Sequence, residues 1–195
     1  MIDYDVVSLA ELLELRTENE ISEIFKKFSC KEESDLEDFL NVRAIEYERN
    51  SKGKTFLCID GGKYEKTGEI FVAAYYTLAN TAIDLSDMGS NKKKRVMGDF
   101  PGRTERDTFP AFLIAQLGRC DAYSHEDISG ETLLNECFHT LKEAAKIVGG
   151  KLVVLECREH MFDKVYKHLE FKKLADELTS DNLYMLYKRV DFYEI

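Results

Sequence analysis

The stretch FPAFLIAQLGRCDAYSHEDISGETLLNECFHTLKEAAKIVGG, residues Phe109 to Gly150, decides the fold. Its opening apolar run, Phe112 to Leu117, lies between Pro110 and Gly118 and is too short for a free-standing helix, so it reads as a buried strand. A polar loop follows. Leu133, Leu134, Cys137, Phe138, Leu141, Ala145 and Val148 then recur at three- and four-residue spacing, the pattern of an amphipathic helix, until Gly149-Gly150 ends it. Lys151 to Cys157 (KLVVLEC) reads as a second buried strand, and Met161 to Phe171 as a second short helix. Two strands joined through a helix are expected to be adjacent and parallel, because parallel neighbours need such a crossover. A loop that feeds a helix N-terminus receives unpaired N–H groups and the positive end of the helix dipole, a setting that suits phosphate-bearing ligands.

Upstream, Ser8-Leu-Ala-Glu11 and Ser34-x-x-Glu37 have the form of capping boxes. Three apolar stripes accompany them: Leu12, Leu13 and Leu15; Ile21, Ile24, Phe25 and Phe28; and Leu36, Phe39, Leu40, Ala44 and Tyr47. The first fifty residues are therefore expected to be helical. Lys54 to Asp60 (KTFLCID) and Glu69 to Leu78 (EIFVAAYYTL), separated by a turn-forming Gly61 to Gly68, predict an antiparallel hairpin. From Asn80 to Thr108 the chain is polar and reads as a long connection carrying Lys92-Lys93-Lys94-Arg95, Arg103 and Arg106. The basic run is either a solvated loop or a patch that attracts an anionic substrate or the adenosine 3′-phosphate of a coenzyme. Leu174 to Ser180 reads as a loop, and Asn182 to Val190 with Asp191 to Ile195 as one or two closing strands.

At 195 residues and 44% hydrophobic the chain can bury one substantial core, so a single domain over 1–195 is expected. The acidic start MIDYDVVSLAELLE is unlike a secretion signal and no apolar run has the length of a membrane span, which predicts a cytoplasmic protein with no membrane partner. The five cysteines are scattered without a C-x-x-C pair, against both a disulfide framework and a zinc site. His139, His160 and His168 show no ligand spacing, so no metal is expected. The net charge of −10 is concentrated early: residues 1–50 hold 14 Asp/Glu against 6 Lys/Arg. Such a surface repels nucleic acid and favours a basic partner or a neutral small molecule.

The order of helices, hairpin, strand–loop–helix, strand, VYKHLEF helix and final strand resembles the GNAT superfamily, which transfers acetyl groups from acetyl-CoA to amines. The segments FSCKEESDLEDFLNVRAIEYERNSKGKTFLCID, VAAYYTLAN and FPAFLIAQLGR are similar to the branch that includes toxins acetylating aminoacyl-tRNA, and to plain small-molecule acetyltransferases. The resemblance implies a mixed, mainly antiparallel α/β (α+β) sheet with helices on both faces. It implies acetyl-CoA as acetyl donor, and an amine of a small molecule or protein as acceptor. A homodimer is an open possibility for the assembly.

The resemblance also implies site residues. The family's Q/R-x-x-G-x-G/A loop, whose amides bind the coenzyme pyrophosphate, corresponds to His125-Glu126-Asp127-Ile128-Ser129-Gly130. Only the last glycine is kept, and Glu126 and Asp127 bring negative charge where phosphates approach. His125, Ile128, Ser129, Gly130 and Glu131 are thus the implied pyrophosphate residues, with Asp127 or Ser129 alternatively a plain N-cap. Gln116, Leu117, Gly118 and Arg119 are implied to pair with the pantetheine arm, a backbone N–H near Leu117-Gly118 holding the oxyanion. VYKHLEF matches the family's F-Y-x-x-x-G-F segment with Glu170 in place of the glycine, and places Tyr166 as the acid that protonates the departing thiolate. The alternative for Tyr166 is core packing beside Phe162 and Leu169. Glu69, Asp107 and His125 all remain open as general base. A degenerate acyltransferase fold acting as a binding or regulatory module, and a tRNA-acetylating toxin, are the competing functions.

Overall fold

In the computed structural model, which describes residues 1–193, the chain runs β1 (Tyr4–Ser8), α1 (Leu9–Leu15), α2 (Glu18–Phe25), α3 (Ser34–Asp38), a π-helical turn (Phe39–Arg43), α4 (Ala44–Arg49), β2 (Lys54–Asp60), α5 (Gly61–Thr67) and β3 (Val72–Asp84). It continues through α6 (Ser90–Met97), a 3-10 turn (Arg103–Glu105), β4 (Thr108–Arg119), α7 (Gly130–Val148), β5 (Leu152–Cys157), α8 (Glu159–Met161), a second π-helical turn (Phe162–Tyr166), β6 (Lys172–Lys173) and β7 (Tyr184–Arg189). The strands form one seven-stranded sheet in the order β1-β2-β3-β4-β5-β7-β6. It is mixed and mainly antiparallel. The parallel pair is the one the sequence predicts, β4 with β5, in register at Phe112 with Val153, Leu113 with Val154 and Ile114 with Leu155.

Two compact units divide the chain: Met1–Ala79 with Ala115–Cys137, and Asn80–Ile114 with Phe138–Ile195. In the first unit the period-2 alternation of strands sorts side chains onto two faces. Leu57 pairs with Tyr75 and Cys58 with Ala74 across β2 and β3. Leu57, Ala73 and Tyr75 turn toward Leu9, Ile21, Phe25, Phe39 and Leu40 of the helical N-terminal segment. Cys58 and Ala74 turn the other way, toward Ile128 and Leu133. Helices therefore cover both faces. In the second unit Val96 and Met97 of α6 pack with Phe109, Ala111, Leu152, Val154 and Tyr187 of the strands.

Local signals explain most elements. Ser8 and Thr17 each accept from the backbone N–H three residues on, and Glu11 and Glu20 reach back to the cap, so both α1 and α2 start with complete capping boxes. Four expectations are corrected. Tyr4–Ser8 is a strand, so the first fifty residues are not all helical; it pairs antiparallel with β2. Ser34 does not cap α3, because Glu33 stands at the cap and the Glu37 carboxylate instead accepts from the Cys30 N–H at 2.9 Å. The hairpin connection is not a plain turn but α5, capped by Asp60, which accepts from Lys63 N–H at 2.9 Å. The stretch 80–108 is not a loop: β3 runs on to Asp84, and Lys92–Arg95 lies on α6. Of the closing segment, Asp191–Tyr193 is outside any strand, and residues 194–195 lie outside the described residues.

Candidate active site

The end of β4 belongs to the first unit. Its ladder with β5 ends at Ile114, yet the strand continues through Ala115–Arg119, where every residue but Gly118 is half-buried. Backbone direction alternates along a strand. Cys120 N–H donates to Ala73 C=O of β3 at 2.9 Å, so the N–H groups of Leu117 and Arg119 point to the opposite edge. Backbone groups on such an edge need partners. On the faces, Leu117 packs against Cys58, Ala74, Ile128 and Leu133, while a Cβ at Gly118 would lie 2.9 Å from Leu36 Cδ1.

The loop after β4 is held from several directions. Arg119 Nη1 donates to the Ile128 carbonyl at 3.0 Å, and the Ile128 side chain is buried in the cluster just named. Ile128 therefore anchors the loop, which accounts for an isoleucine where the family pattern has glycine. Asp127 accepts from Ser124 N–H at 2.7 Å and from Ser124 Oγ–H at 2.8 Å, hydrogen bonds that hold its carboxyl below the usual range. The cap of α7 is Ser129, whose Oγ accepts from Thr132 N–H at 3.0 Å. Asp127 is thus engaged by Ser124 rather than by the first amides of α7. His125, Glu126 and Glu131 are exposed, and a Cβ at Gly130 would meet nothing within 4 Å. A 19-residue helix presenting its first amides beside open space fits an anionic group, and the free edge of β4 fits an amide-bearing chain.

Sequence reasoning missed a buried polar group that ties this loop to the hairpin. Tyr123 donates to Asp60 Oδ2 at 2.9 Å, and Lys63 Nζ donates to the Tyr123 hydroxyl at 2.9 Å. Burial, and then the bond to Asp60, push the Tyr123 phenol up. The Asp60-x-x-Lys63 cap spacing was readable, but the partner Tyr123 is sixty residues away along the chain.

Tyr166 belongs to the second unit. It is buried, edge-on to Phe171 at 5.7 Å between centroids, and Phe171 in turn stacks on Phe138 at 6.3 Å. Its carbonyl accepts from Leu169 N–H at 3.2 Å and from Phe171 N–H at 3.0 Å. That turn requires a left-handed residue, and Glu170 supplies it at φ 63°. The glycine of the family pattern corresponds to this position. Among the general-base candidates, Glu69 is paired with Lys27 at 2.7 Å, Asp107 lies 3.9 Å from the buried Lys93, and His125 is exposed.

Solved structures share this architecture. A structure entitled AtaT complexed with acetyl-methionyl-tRNAfMet matches with a TM-score of 0.66 and 19% identity over 94% of each chain. A tyrosine-to-phenylalanine variant of KacT matches at 0.69 and 18% over 93% of each. A protein described as a bacterial toxin matches at 0.71 and 17%, over 97% of this chain and 92% of that one. The chain has the GNAT fold. No family model and no curated protein matches it. A match over nearly the full length of both partners aligns whole architectures rather than a shared fragment.

Proposed function

We propose that the chain is an N-acetyltransferase that moves an acetyl group from acetyl-CoA to an amine of a small molecule or protein, acting in the cytoplasm as one acyltransferase-like domain over residues 1–195. The observation that carries this reading is β4, a central strand that outruns its parallel ladder by five residues, Ala115–Arg119. Its outward amides at Leu117 and Arg119 suit pairing with pantetheine and the developing oxyanion, while the start of α7, from Ser129 to Glu131, suits the pyrophosphate. The thioester supplies an activated acyl group and a thiolate leaving group. A phenol is a suitable proton donor to a departing thiolate, and Tyr166 is the general-acid candidate for that sulfur. Calorimetric titration with acetyl-CoA tests the binding half: no heat of binding rejects the reading in favour of a non-enzymatic module. Tyr166→Phe tests the chemical half. Turnover should fall by about 10²–10⁴-fold with coenzyme affinity nearly unchanged; retained turnover returns Tyr166 to core packing.

A second reading, a toxin that acetylates the amine of aminoacyl-tRNA, gains support from charge placement. The first unit holds 22 Asp/Glu against 11 Lys/Arg, whereas the second holds 15 against 16. The net charge therefore does not argue against nucleic acid at the second unit, where Lys94, Arg95 and Arg106 are exposed on and near α6. The AtaT structure with acetyl-methionyl-tRNAfMet and a KacTA–DNA complex, the latter at a TM-score of 0.56 and 16% identity, set the precedent on this fold. Growth arrest on expression, relieved by Tyr166→Phe, would favour the toxin; normal growth would remove it.

A further inference from the structure

Leu36 of α3 covers Gly118 of β4. A Cβ at position 118 would lie 2.9 Å from Leu36 Cδ1 and 3.5 Å from both its Cβ and Cγ, so the leucine fills the space that a side chain on the strand would take. Leu36 is also held through its backbone. Its carbonyl accepts from the Tyr75 hydroxyl at 2.6 Å. Tyr75 is fully buried, edge-on to Phe28 at 5.3 Å and stacked on Phe39 at 6.4 Å, so the donor has little freedom to move. On the other face, Leu117 is closed in by Cys58, Ala74, Ile128 and Leu133. At this register β4 offers a bare backbone with no depth on either face.

We propose that Leu36 sets the length of acyl chain accepted at the end of β4, admitting acetyl and excluding longer chains, with Tyr75 as the positioning residue that fixes it. The proposal rests on the coenzyme reading of β4 given above. Leu36→Ala removes three carbons beside Gly118, room for the two extra methylenes of a butyryl group.

The test is calorimetry with acetyl-, propionyl- and butyryl-CoA, which needs no acceptor. The wild type should bind butyryl-CoA more weakly than acetyl-CoA, and in Leu36→Ala the butyryl-to-acetyl Kd ratio should fall about tenfold, the value of burying two methylenes. Tyr75→Phe should lower the same ratio by a smaller factor. A folded Leu36→Ala with an unchanged ratio overturns the proposal and leaves the coenzyme reading intact. If Leu36→Ala does not fold, Leu36→Val takes its place, and a propionyl-to-acetyl ratio unchanged there has the same force. Wild-type protein that binds none of the three thioesters overturns the coenzyme reading and this inference together.

Discussion

Glu170 sits at φ 63° with its carboxylate 3.5 Å from Lys188 Nζ. A left-handed backbone costs a residue with a Cβ about 1–2 kcal/mol, and an exposed ion pair offsets little of it. Glu170→Gly is therefore expected to raise stability by about 1 kcal/mol in urea denaturation; a loss would mean that the Lys188 contact outweighs the strain. Cys58 makes a second prediction. Burial, with Glu136 nearby, pushes its thiol up to about 12. The native thiol thus keeps a proton that an unfolded cysteine releases near pH ~8.5, so its stabilising contribution is complete below that pH and is lost as pH rises toward 12. Urea midpoints should fall between pH 8 and 10.5, by less in Cys58→Ala, and Cys58 should resist iodoacetamide in the native protein at pH 8. An identical pH slope in the variant would assign the alkaline loss to other groups.

At the scale of elements, the loop before α7 divides its two acids between different tasks. Asp127 is engaged by Ser124, whereas Glu126 is exposed. Replacing both acids would combine a relief of charge with a loss of loop order. Replaced singly, Glu126→Gly should tighten acetyl-CoA binding and Asp127→Ser should weaken it, as read by calorimetry; equal effects would show that charge alone matters. Ser129→Ala removes the cap of α7 and should cost about 1 kcal/mol. Elements with a strong apolar signal, the helical period of α7 and the apolar run LVVL of β5, were legible in the sequence. Those that do without one were not: β1 is a five-residue edge strand, YDVVS, too short to show a period, and α6 carries four consecutive cations and buries one of them, Lys93, through a 2.7 Å bond to the Arg106 carbonyl. VYKHLEF offers Tyr166 as a candidate from the sequence alone, whereas the Leu36–Gly118 and Tyr75–Leu36 contacts are made across the fold and carry no sequence signal.

For the whole molecule, the segregation of charge has a measurable consequence. With an excess of 11 acidic residues, the first unit repels itself, and screening shortens the reach of that repulsion from roughly 30 Å at 0.01 M salt to roughly 3 Å at 1 M. Sodium chloride should therefore raise the thermal midpoint between 0.01 and 0.5 M; a midpoint that falls would mean that the surface ion pairs contribute more than the excess charge costs.

The π-helical turn at Phe39–Arg43 acts as a phase corrector. Leu36 and Ala44 belong to one hydrophobic cluster, though eight positions apart. In a regular α-helix, at 100° per residue, they would point about 80° apart; one residue looped into the wider turn brings them within about 20°. Deleting a single residue there would restore a regular helix and break that alignment, turning either Leu36 away from Gly118 or Ala44 away from the core. The segment from Glu33 to Arg49 is thus fixed in length as well as in composition, and an insertion or deletion of one residue within it should be more damaging than most substitutions.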